Sequence, residues 1–184
     1  MRCKKFVYTS AIVLLTLLTF SVGKGTAQTT ANGPYYAWPS WDQTLPSSTR
    51  FIVLSNFNSQ AVLDRETGLV WERSPSTTVS GFTSIECNNK TVGNRRGWRL
   101  PTIQELMSLI DPTQLSPALP TGNPFQIQNV SVGYWSATNF DDPDGSSTKA
   151  WAMGLPVGNA FVATKTTSGL FIWCVRGGPG VDRQ

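Results

Sequence analysis

The residues of this chain that could most readily hold a ligand are three carboxylates close together in the sequence. Asp141, Asp142 and Asp144 lie within four positions, in the segment Asn139–Gly145, which we call the acidic loop. Carboxylate and carbonyl oxygens are the ligands that calcium takes, six to eight at a time. The pattern therefore predicts either a calcium site made by these three aspartates or a solvated turn, because Asp, Pro and Gly are also common turn formers.

Two tryptophans lie on either side of the acidic loop and could supply the apolar part of a binding site. Trp135 precedes the loop and Trp151 follows it, each in a segment predicted to be a strand. Sugars stack their apolar faces on aromatic rings, and tryptophan offers rigid, amphipathic contact area. We therefore expect Trp135, Asn139 and Trp151 to contact a ligand. The alternative is that both tryptophans pack in the core, as large aromatics on strands usually do.

The absence of histidine narrows the chemistry that the chain could catalyse. The sequence contains no histidine, which excludes Ser-His and Cys-His nucleophile pairs and the commonest zinc ligand. The segment Ser146–Lys149 matches the S-x-x-K pattern, but the partner motifs of that enzyme class are missing, and a polar loop explains the match. We therefore expect a protein that is not an enzyme and that has no cofactor other than the calcium considered above.

The amino terminus has the features of a secretion signal. Three basic residues precede the apolar run Phe6–Phe20, and small residues follow at 25–27. This pattern predicts a signal peptide over residues 1–27, cleaved before Gln28, and hence a secreted, periplasmic or cell-surface protein. The run is short for a membrane-spanning helix, so we expect no span in the mature chain; a retained anchor is the alternative.

The positive net charge of the full chain, +4, comes from this signal. Four of the fifteen basic residues and none of the eleven acidic ones lie within residues 1–27, which leaves eleven of each sign in the mature part. A neutral mature chain gives no reason to expect nucleic acid or an anionic membrane as a partner.

Two cysteines, Cys87 and Cys174, remain after the signal is removed. An exported protein folds in an oxidising compartment, where two cysteines without a third form a disulfide by default. Two buried free thiols are the alternative. A bridge across a loop of this length would stabilise the fold by roughly 4 kcal/mol in the chain-entropy model.

The mature chain has the size of one domain and divides into three parts. Residues 28–50 are rich in Thr, Ser and Pro and are predicted to be a lead-in segment that packs against something, because they also carry aromatics (Tyr35, Tyr36, Trp38, Trp41). The domain proper is predicted over residues 51–178. A short tail, 179–184, follows it.

The candidate residues would be positioned by short strands. Apolar and alternating runs predict strands at Phe51–Leu54, Ala61–Leu63, Leu69–Trp71, Tyr134–Thr138, Ala150–Leu155, Ala160–Thr164 and Leu170–Arg176. The second and third form a hairpin whose turn uses Gly68 for a positive φ. No crossover helices separate the strands, which predicts antiparallel sheets.

Two short helices complete the prediction. Thr102 and Glu105 form a capping box at the start of a helix that is expected to end at Asp111. Its apolar stripe would pack on the core (Ile103, Leu106, Met107, Ile110). A second helix is predicted at Ser84–Asn89 and would carry Cys87.

Three stretches taken together resemble one bacterial family. They are Asp64–Trp71, Gly97–Leu106, and Tyr134–Thr138 together with Trp173–Arg176. On these stretches the chain resembles the Lcl C-terminal-domain-like family, from about residue 60 to 177. The resemblance implies an α+β, C-type lectin-like fold with antiparallel sheets, one or two short helices, long loops and one disulfide.

The resemblance also implies roles for individual residues. In lectin-like folds a cysteine near the helices bonds one in the last strand, and Cys87 and Cys174 occupy those positions. Residues 98–101 resemble fold determinants, with Arg99 a buried, paired guanidinium. The family has no agreed catalytic or ligand-contacting residues, so no site is carried over. This chain also lacks the collagen-like repeat of the adhesin that names the family, so nothing in the sequence enforces a trimer.

Two functions follow as expectations. The first is an exported, non-catalytic binding module that recognises carbohydrate, because a better-studied family member is similar to a glycan-binding adhesin module. The second is a structural or protein–protein interaction domain of an envelope assembly. A shallow groove with exposed tryptophan near residues 135–151 would favour the first, and a broad apolar patch would favour the second.

Overall fold

The computed structural model describes residues 45–75 and 77–178. The predicted signal peptide, most of the lead-in segment with its four aromatics, and the tail lie outside these residues. In chain order the elements are α1 (Ser47–Arg50), β1 (Phe51–Val53), β2 (Ala61–Asp64), β3 (Val70–Glu72), β4 (Thr77–Thr78), α2 (Ile85–Asn89), α3 (Ile103–Met107), β5 (Gly133–Phe140), β6 (Lys149–Gly154), β7 (Asn159–Thr164), β8 (Phe171–Ile172) and β9 (Val175–Arg176). Short 3₁₀ turns occur at Ser55–Phe57 and Val92–Asn94.

The hairpin predicted around Gly68 is confirmed. Strands β2 and β3 pair antiparallel, with Val62 opposite Trp71. Gly68 has a φ of 67°, a conformation that glycine adopts without steric cost. Its N–H donates to the carbonyl oxygen of Asp64 at 2.7 Å, which closes the turn.

The packed domain begins before residue 51, where the sequence pattern placed its start. Arg50, the last residue of α1, is 1% exposed. Its Nε and Nη2 donate to the two carboxylate oxygens of Asp64 at 2.9 and 2.8 Å, and Nη2 also donates to the carbonyl oxygen of Ser108 at 2.7 Å. A buried guanidinium is tolerated only when it is paired in this way, so residues 45–50 belong to the domain.

The strands form two sheets. The first has the strand order β1-β2-β3-β9 and the second the order β4-β8-β5-β6-β7. The neighbouring strands pair antiparallel, as predicted, except for a parallel bridge between β5 and β8 at Tyr134 and Phe171. The fold is therefore α+β with mainly antiparallel sheets and short helices.

The closing segment differs from the single strand predicted over Leu170–Arg176. It divides into β8 in the second sheet and β9 in the first, with Trp173 and Cys174 between them. Trp173 is fully buried and donates from Nε1 to the carbonyl oxygen of Glu72 at 2.8 Å. Cys174 forms the predicted disulfide with Cys87 of α2. Both residues are fully buried, so the chain passes through the core where it crosses from one sheet to the other.

Helix α3 begins as predicted but ends earlier. Thr102 Oγ1 accepts from the N–H of Glu105 at 3.2 Å, and the Glu105 carboxylate accepts from the N–H of Thr102 at 2.9 Å. The helix stops at Met107, four residues before the predicted end. The carbonyl oxygen of the next residue, Ser108, is taken by Arg50 instead of a further helical N–H.

The predicted pairing of Arg99 is confirmed. Its Nη1 and Nη2 donate to the two carboxylate oxygens of Glu105 at 2.7 and 2.6 Å. Nη2 also donates to the carbonyl oxygen of Gly177 at 2.6 Å. This guanidinium therefore fastens the start of α3 to the end of the domain.

Two hydrophobic clusters fill the domain. The first lies around Trp71 and Trp173 and includes the apolar side of α3. The second surrounds the disulfide and contains Trp98 and Trp135. All four indoles are fully buried, and each aromatic of this size buries about 150–250 Å². Among the described residues, every helix is too short and too polar to cross a bilayer.

Candidate functional site

The two tryptophans beside the acidic loop do not share a site. Trp135 is 0% exposed and packs edge-to-face against Phe82, with ring centroids 5.7 Å apart. Across the β5–β6 pair it lies opposite Ala152, so Trp151, the preceding residue of β6, points to the other face of the sheet. The prediction that Trp135 contacts a ligand is therefore wrong, because its indole is enclosed in the second core cluster.

Asn139 follows a bulge in β5. The register shifts between Trp135 and Asn139, and within the bulge Thr138 Oγ1 accepts from the N–H of Ile103 at 2.9 Å. The bulge thus holds the first turn of α3. Asn139 pairs with the residue before Trp151, so these two predicted ligand contacts also lie on opposite faces of the sheet.

The acidic loop is ordered by its own hydrogen bonds. Asp142 is 6% exposed, and its carboxylate accepts from Lys149 Nζ, from Thr148 Oγ1 at 3.0 Å and from Ser146 Oγ at 3.3 Å. Asp144 Oδ1 accepts from the N–H of Ser146 at 2.9 Å. All of these donors lie within residues 146–149, directly after the loop, which is the geometry of a closed turn.

The three aspartates of this loop are not gathered into one cluster in the described residues. Within residues 45–75 and 77–178, no three Asp, Glu, Cys or His side chains are grouped so as to hold a metal ion. Asp141 is exposed, and the buried carboxylate of Asp142 is already bound to the ammonium group of Lys149. The calcium site of Asp141, Asp142 and Asp144 stays a prediction, and these contacts favour the turn alternative.

The hydrogen bonds of the loop favour the ionised form of its carboxylates. The bond from Lys149 lowers the pKa of Asp142 below its ordinary value, with help from Thr148 and Ser146 and against the effect of burial. The backbone N–H and hydroxyl of Ser146 lower the pKa of Asp144 in the same way. Both groups are therefore charged at neutral pH and held by charge-assisted bonds.

Trp151 alone of the predicted aromatic pair reaches the surface. It is half-buried and packs edge-to-face with Phe140, with centroids 5.7 Å apart. Lys149 Nζ lies 5.7 Å from the Phe140 ring centroid, within range of a cation–π contact. This leaves a small aromatic surface beside the acidic loop, already partly covered by a lysine.

A groove elsewhere gathers polar side chains from distant parts of the sequence. It has a volume of about 390 Å³, and we call it the amide groove; its walls are Ser59, Gln60, Glu72, Ser74, Val92 and Gln126. Gln60 directly precedes β2, and Glu72 is the last residue of β3. Gln126 reaches the groove because its N–H donates to the carbonyl oxygen of Arg73 at 2.8 Å. Two neighbouring strands and one long loop therefore build the site.

The two carboxamides of the groove each have a fixed oxygen and an unused nitrogen. Gln60 Oε1 accepts from the N–H of Gly93 at 2.7 Å, and Gln126 Oε1 accepts from Ser74 Oγ at 2.7 Å. Both side chains are exposed, and neither Nε2 donates to another described residue. A carboxamide nitrogen carries two N–H donors, so each glutamine presents two donors at a fixed orientation.

The charge of the groove is balanced. Both carboxylate oxygens of Glu72 accept from Lys90 Nζ, at 2.7 and 2.8 Å. A carboxylate has about four lone-pair sites, so Glu72 can still accept from a ligand. The groove thus combines N–H donors, a carboxylate acceptor and two serine hydroxyls without a net charge. This is the complement of a molecule rich in hydroxyl groups, which donate and accept at once.

The sequence analysis did not identify the amide groove. Gln60, Glu72 and Gln126 are separated by loops and strands, and no local spacing joins them. The one available signal was the predicted hairpin, which would have set Gln60 near the end of the strand that carries Trp71. Gln126 lies in a loop whose course only tertiary packing determines, so no pattern could have placed it.

Comparisons with known proteins identify the family. The model of the Lcl C-terminal domain matches residues 60–176, most of the chain. Comparison with curated proteins finds no match, and comparison with solved structures finds none either. The matched range contains the hairpin, the disulfide, α3 and both sheets except β1. This chain belongs to the Lcl C-terminal domain family.

Proposed function

We propose that this protein is an exported, non-catalytic binding module that recognises carbohydrate through the amide groove. The observation that carries the proposal is the pair of exposed carboxamides, Gln60 and Gln126, each fixed through its oxygen with both N–H donors free for a ligand. A preorganised side chain loses little rotamer entropy on binding, which favours affinity.

The chemistry of the groove favours a neutral sugar. Lys90 neutralises Glu72, so an anionic ligand gains no net attraction there. A sugar hydroxyl accepts from an amide N–H and donates to a carboxylate or serine oxygen, and the groove offers all three groups. Its volume of about 390 Å³ lies within the range of about 300–1,000 Å³ that is usual for small-ligand sites.

The fold and the export of the protein are part of the same proposal. The disulfide joins α2 to the closing segment, an arrangement that supports a C-type lectin-like fold. A buried disulfide also suits the oxidising periplasm or cell surface that the signal peptide predicts. Both features are compatible with a module that meets glycans outside the cytoplasm.

A second function has one observation in its favour. Leu115 and Val157 are 71% and 59% exposed, and their loops are joined by the N–H of Ser116, which donates to the carbonyl oxygen of Pro156 at 2.8 Å. A contiguous exposed apolar patch marks a protein contact, and these two side chains would contribute to one. A role as an interaction domain of an envelope assembly would use this surface.

A glycan array tests the proposal. The oxidised mature protein is applied with neutral and acidic glycans, alongside a Gln60→Ala/Gln126→Ala variant of the same folded state. We expect neutral glycans to bind the wild type and to lose most of their signal with the variant. Failure of the wild-type protein, shown to be folded, to bind any glycan would reject the carbohydrate function. A Leu115→Ser/Val157→Ser variant, which leaves the amide groove intact, is the matched control for the protein-contact surface.

A further inference from the structure

The edges of the two sheets differ in length. In the described part of the molecule, β1 and β9 are the edges of the first sheet, and β4 and β7 are those of the second. Strand β1 has three residues, and β4 and β9 have two each. On its other side β9 is already bridged, because Arg99 pairs with Val175. Strand β7, with six residues, is the one long edge among these four.

Strand β7 lacks the features that usually protect a long edge. Its sequence, Asn159–Thr164, contains no charged residue and no proline. It pairs with β6 in register over all six residues, without a bulge. Asn159, Ala160 and Thr164 are exposed, and the three residues between them are half-buried. Natural proteins use short strands, charges, prolines and bulges to keep edges from pairing with other chains, so β7 is open to such pairing.

The hydrogen-bond pattern shows which backbone groups of β7 are free. The N–H of Lys165, directly after the strand, donates to the carbonyl oxygen of the residue before β6 at 2.8 Å. In an antiparallel pair, residues bonded to the partner strand alternate with residues whose backbone groups point away from it. Phe161 and Ala163 therefore bond to β6, whereas Ala160 and Val162 turn their N–H and C=O groups outward. No bond from another described residue reaches the backbone of these two.

A second copy of the same strand fits this edge without a conflict of charge. If two β7 strands pair antiparallel about Val162, each Val162 faces its own copy and Ala160 faces Thr164. Lys165, the nearest charged residue, then lies opposite Asn159. Pairs of β-branched side chains stabilise neighbouring strands, and no like charges oppose each other. The mature chain has eleven basic and eleven acidic residues, so two copies do not repel each other through net charge.

We propose that β7 is a self-association edge, at which two copies of this protein pair their β7 strands antiparallel about Val162. The pairing would join the five-stranded sheets of both copies into one continuous sheet. A two-fold arrangement uses the edge once in each copy, so the assembly closes at two. The proposal is independent of the carbohydrate function, because no residue of the amide groove lies in β7. It would present two such grooves on one particle, which favours binding to a repetitive ligand.

Sedimentation equilibrium of the oxidised mature protein tests the proposal. We expect the wild type to show a monomer–dimer equilibrium. Val162→Lys and Val162→Glu each place like charges opposite each other on the two-fold axis, and each should raise the dissociation constant of the dimer at least about tenfold. An equimolar mixture of the two variants should form a dimer again, because opposite charges then face each other. Ile52→Lys changes an exposed aliphatic residue of the short edge β1 and should associate like the wild type.

Hydrogen exchange of the wild type tests the same edge without a substitution. The N–H groups of Ala160 and Val162 should be protected at high protein concentration and exchange freely at low concentration. Those of Phe161 and Ala163, which bond to β6, should be protected at both concentrations. This alternation is specific to pairing through β7, since association through any other surface would leave Ala160 and Val162 unprotected.

Four results would overturn the proposal. The first is a wild-type protein that stays monomeric at about 1 mM, where even a dissociation constant of that size would show as dimer. The second is a mixture of the Val162→Lys and Val162→Glu variants that stays monomeric although both are folded. The third is a trimer, because two paired β7 strands leave no edge for a third. The fourth is protection of Ala160 and Val162 that does not depend on concentration, because the edge would then be covered within one molecule.

Discussion

The acidic loop and the amide groove each hold a carboxylate that is paired with a lysine, yet their other polar atoms are used differently. In the acidic loop, the Asp142 carboxylate accepts hydrogen bonds from Lys149 and from the hydroxyls of Thr148 and Ser146. Its acceptor sites are therefore filled by neighbouring residues of the same chain segment. In the amide groove, the Glu72 carboxylate accepts from Lys90. The carboxamides of Gln60 and Gln126 use only their oxygens, so their N–H donors stay free for a ligand. The loop has the composition of a binding site, whereas the groove has exposed donors at a fixed orientation. The second property is the one on which the proposed ligand binding rests.

The largest effect should be a loss of stability on replacing Trp135, which the sequence analysis assigned to a ligand site beside the acidic loop. Replacing Trp135 with Ala should lower the free energy of unfolding by about 3–5 kcal/mol, because it leaves a cavity in the second core cluster. Trp151→Ala, at a half-buried position, should cost clearly less. Denaturant unfolding of both variants measures this. Equal and small losses of unfolding free energy for the two variants would mean that Trp135 does not pack in the core.

The next effect concerns ligand affinity in the groove. Gln126→Glu keeps an oxygen acceptor for Ser74 but removes two N–H donors and adds a negative charge. Loss of one such hydrogen bond, about 1.4 kcal/mol, should weaken glycan binding about tenfold. Gln128→Glu makes the same charge change outside the groove and should leave binding unchanged. Titration calorimetry compares the two, and equal losses would show a non-specific charge effect.

Calcium should leave the thermal midpoint of the protein unchanged. This result would support the view that the acidic loop, unlike the amide groove, is not a ligand site. A site with a dissociation constant one hundredth of the calcium concentration would stabilise the fold by about 2.7 kcal/mol. We expect no such stabilisation from the loop, because Lys149 already holds the buried carboxylate of Asp142. The thermal midpoint should therefore be the same in millimolar calcium and in chelator. A midpoint that rises with calcium, and no longer rises in Asp142→Asn, would contradict the account.

The smallest effect is a pH dependence confined to the acidic loop. Asp142 and Asp144 have pKa values below the ordinary value of about 3.9, so their bonds stabilise the loop above that pH. This contribution should be lost as the pH falls below about 3.9, through the lowered pKa values of the folded protein. Hydrogen exchange at Gly145 and Ser146 should be steady from pH 5 to 8, after correction for intrinsic rates, and lose protection only in acid. Loss of protection between pH 5 and 8 would mean that other groups hold the loop.

Features encoded by neighbouring residues could be predicted from the sequence. The capping box of Thr102 and Glu105, the Gly68 hairpin and the pairing of Cys87 with Cys174 each depend on short-range chemistry or on a choice among very few cysteines. The Arg99 ion pair came from family resemblance. Together with the apolar and alternating runs that predicted the strands, they indicated an α+β fold.

Features decided by tertiary packing could not be predicted. Alternation along β5 and β6 indicates that Trp135 and Trp151 lie on strands, but their opposite faces follow from the pairing of Trp135 with Ala152, a register that no local pattern reveals. The division of Leu170–Arg176 between two sheets leaves no trace in its apolar pattern. The amide groove joins residues 60, 72 and 126, and only the folded loop brings the last of these to the others.

The central claim is that ligand binds at the amide groove and not at the acidic loop. Its most direct test is an amide chemical-shift titration of the oxidised mature protein with the neutral glycan that binds best. The account predicts shifts at Gln60, Gly93 and Gln126, with residues 141–146 unchanged in calcium and in chelator alike. Shifts centred on residues 141–146 that depend on calcium, with Gln60 and Gln126 unaffected, would contradict it.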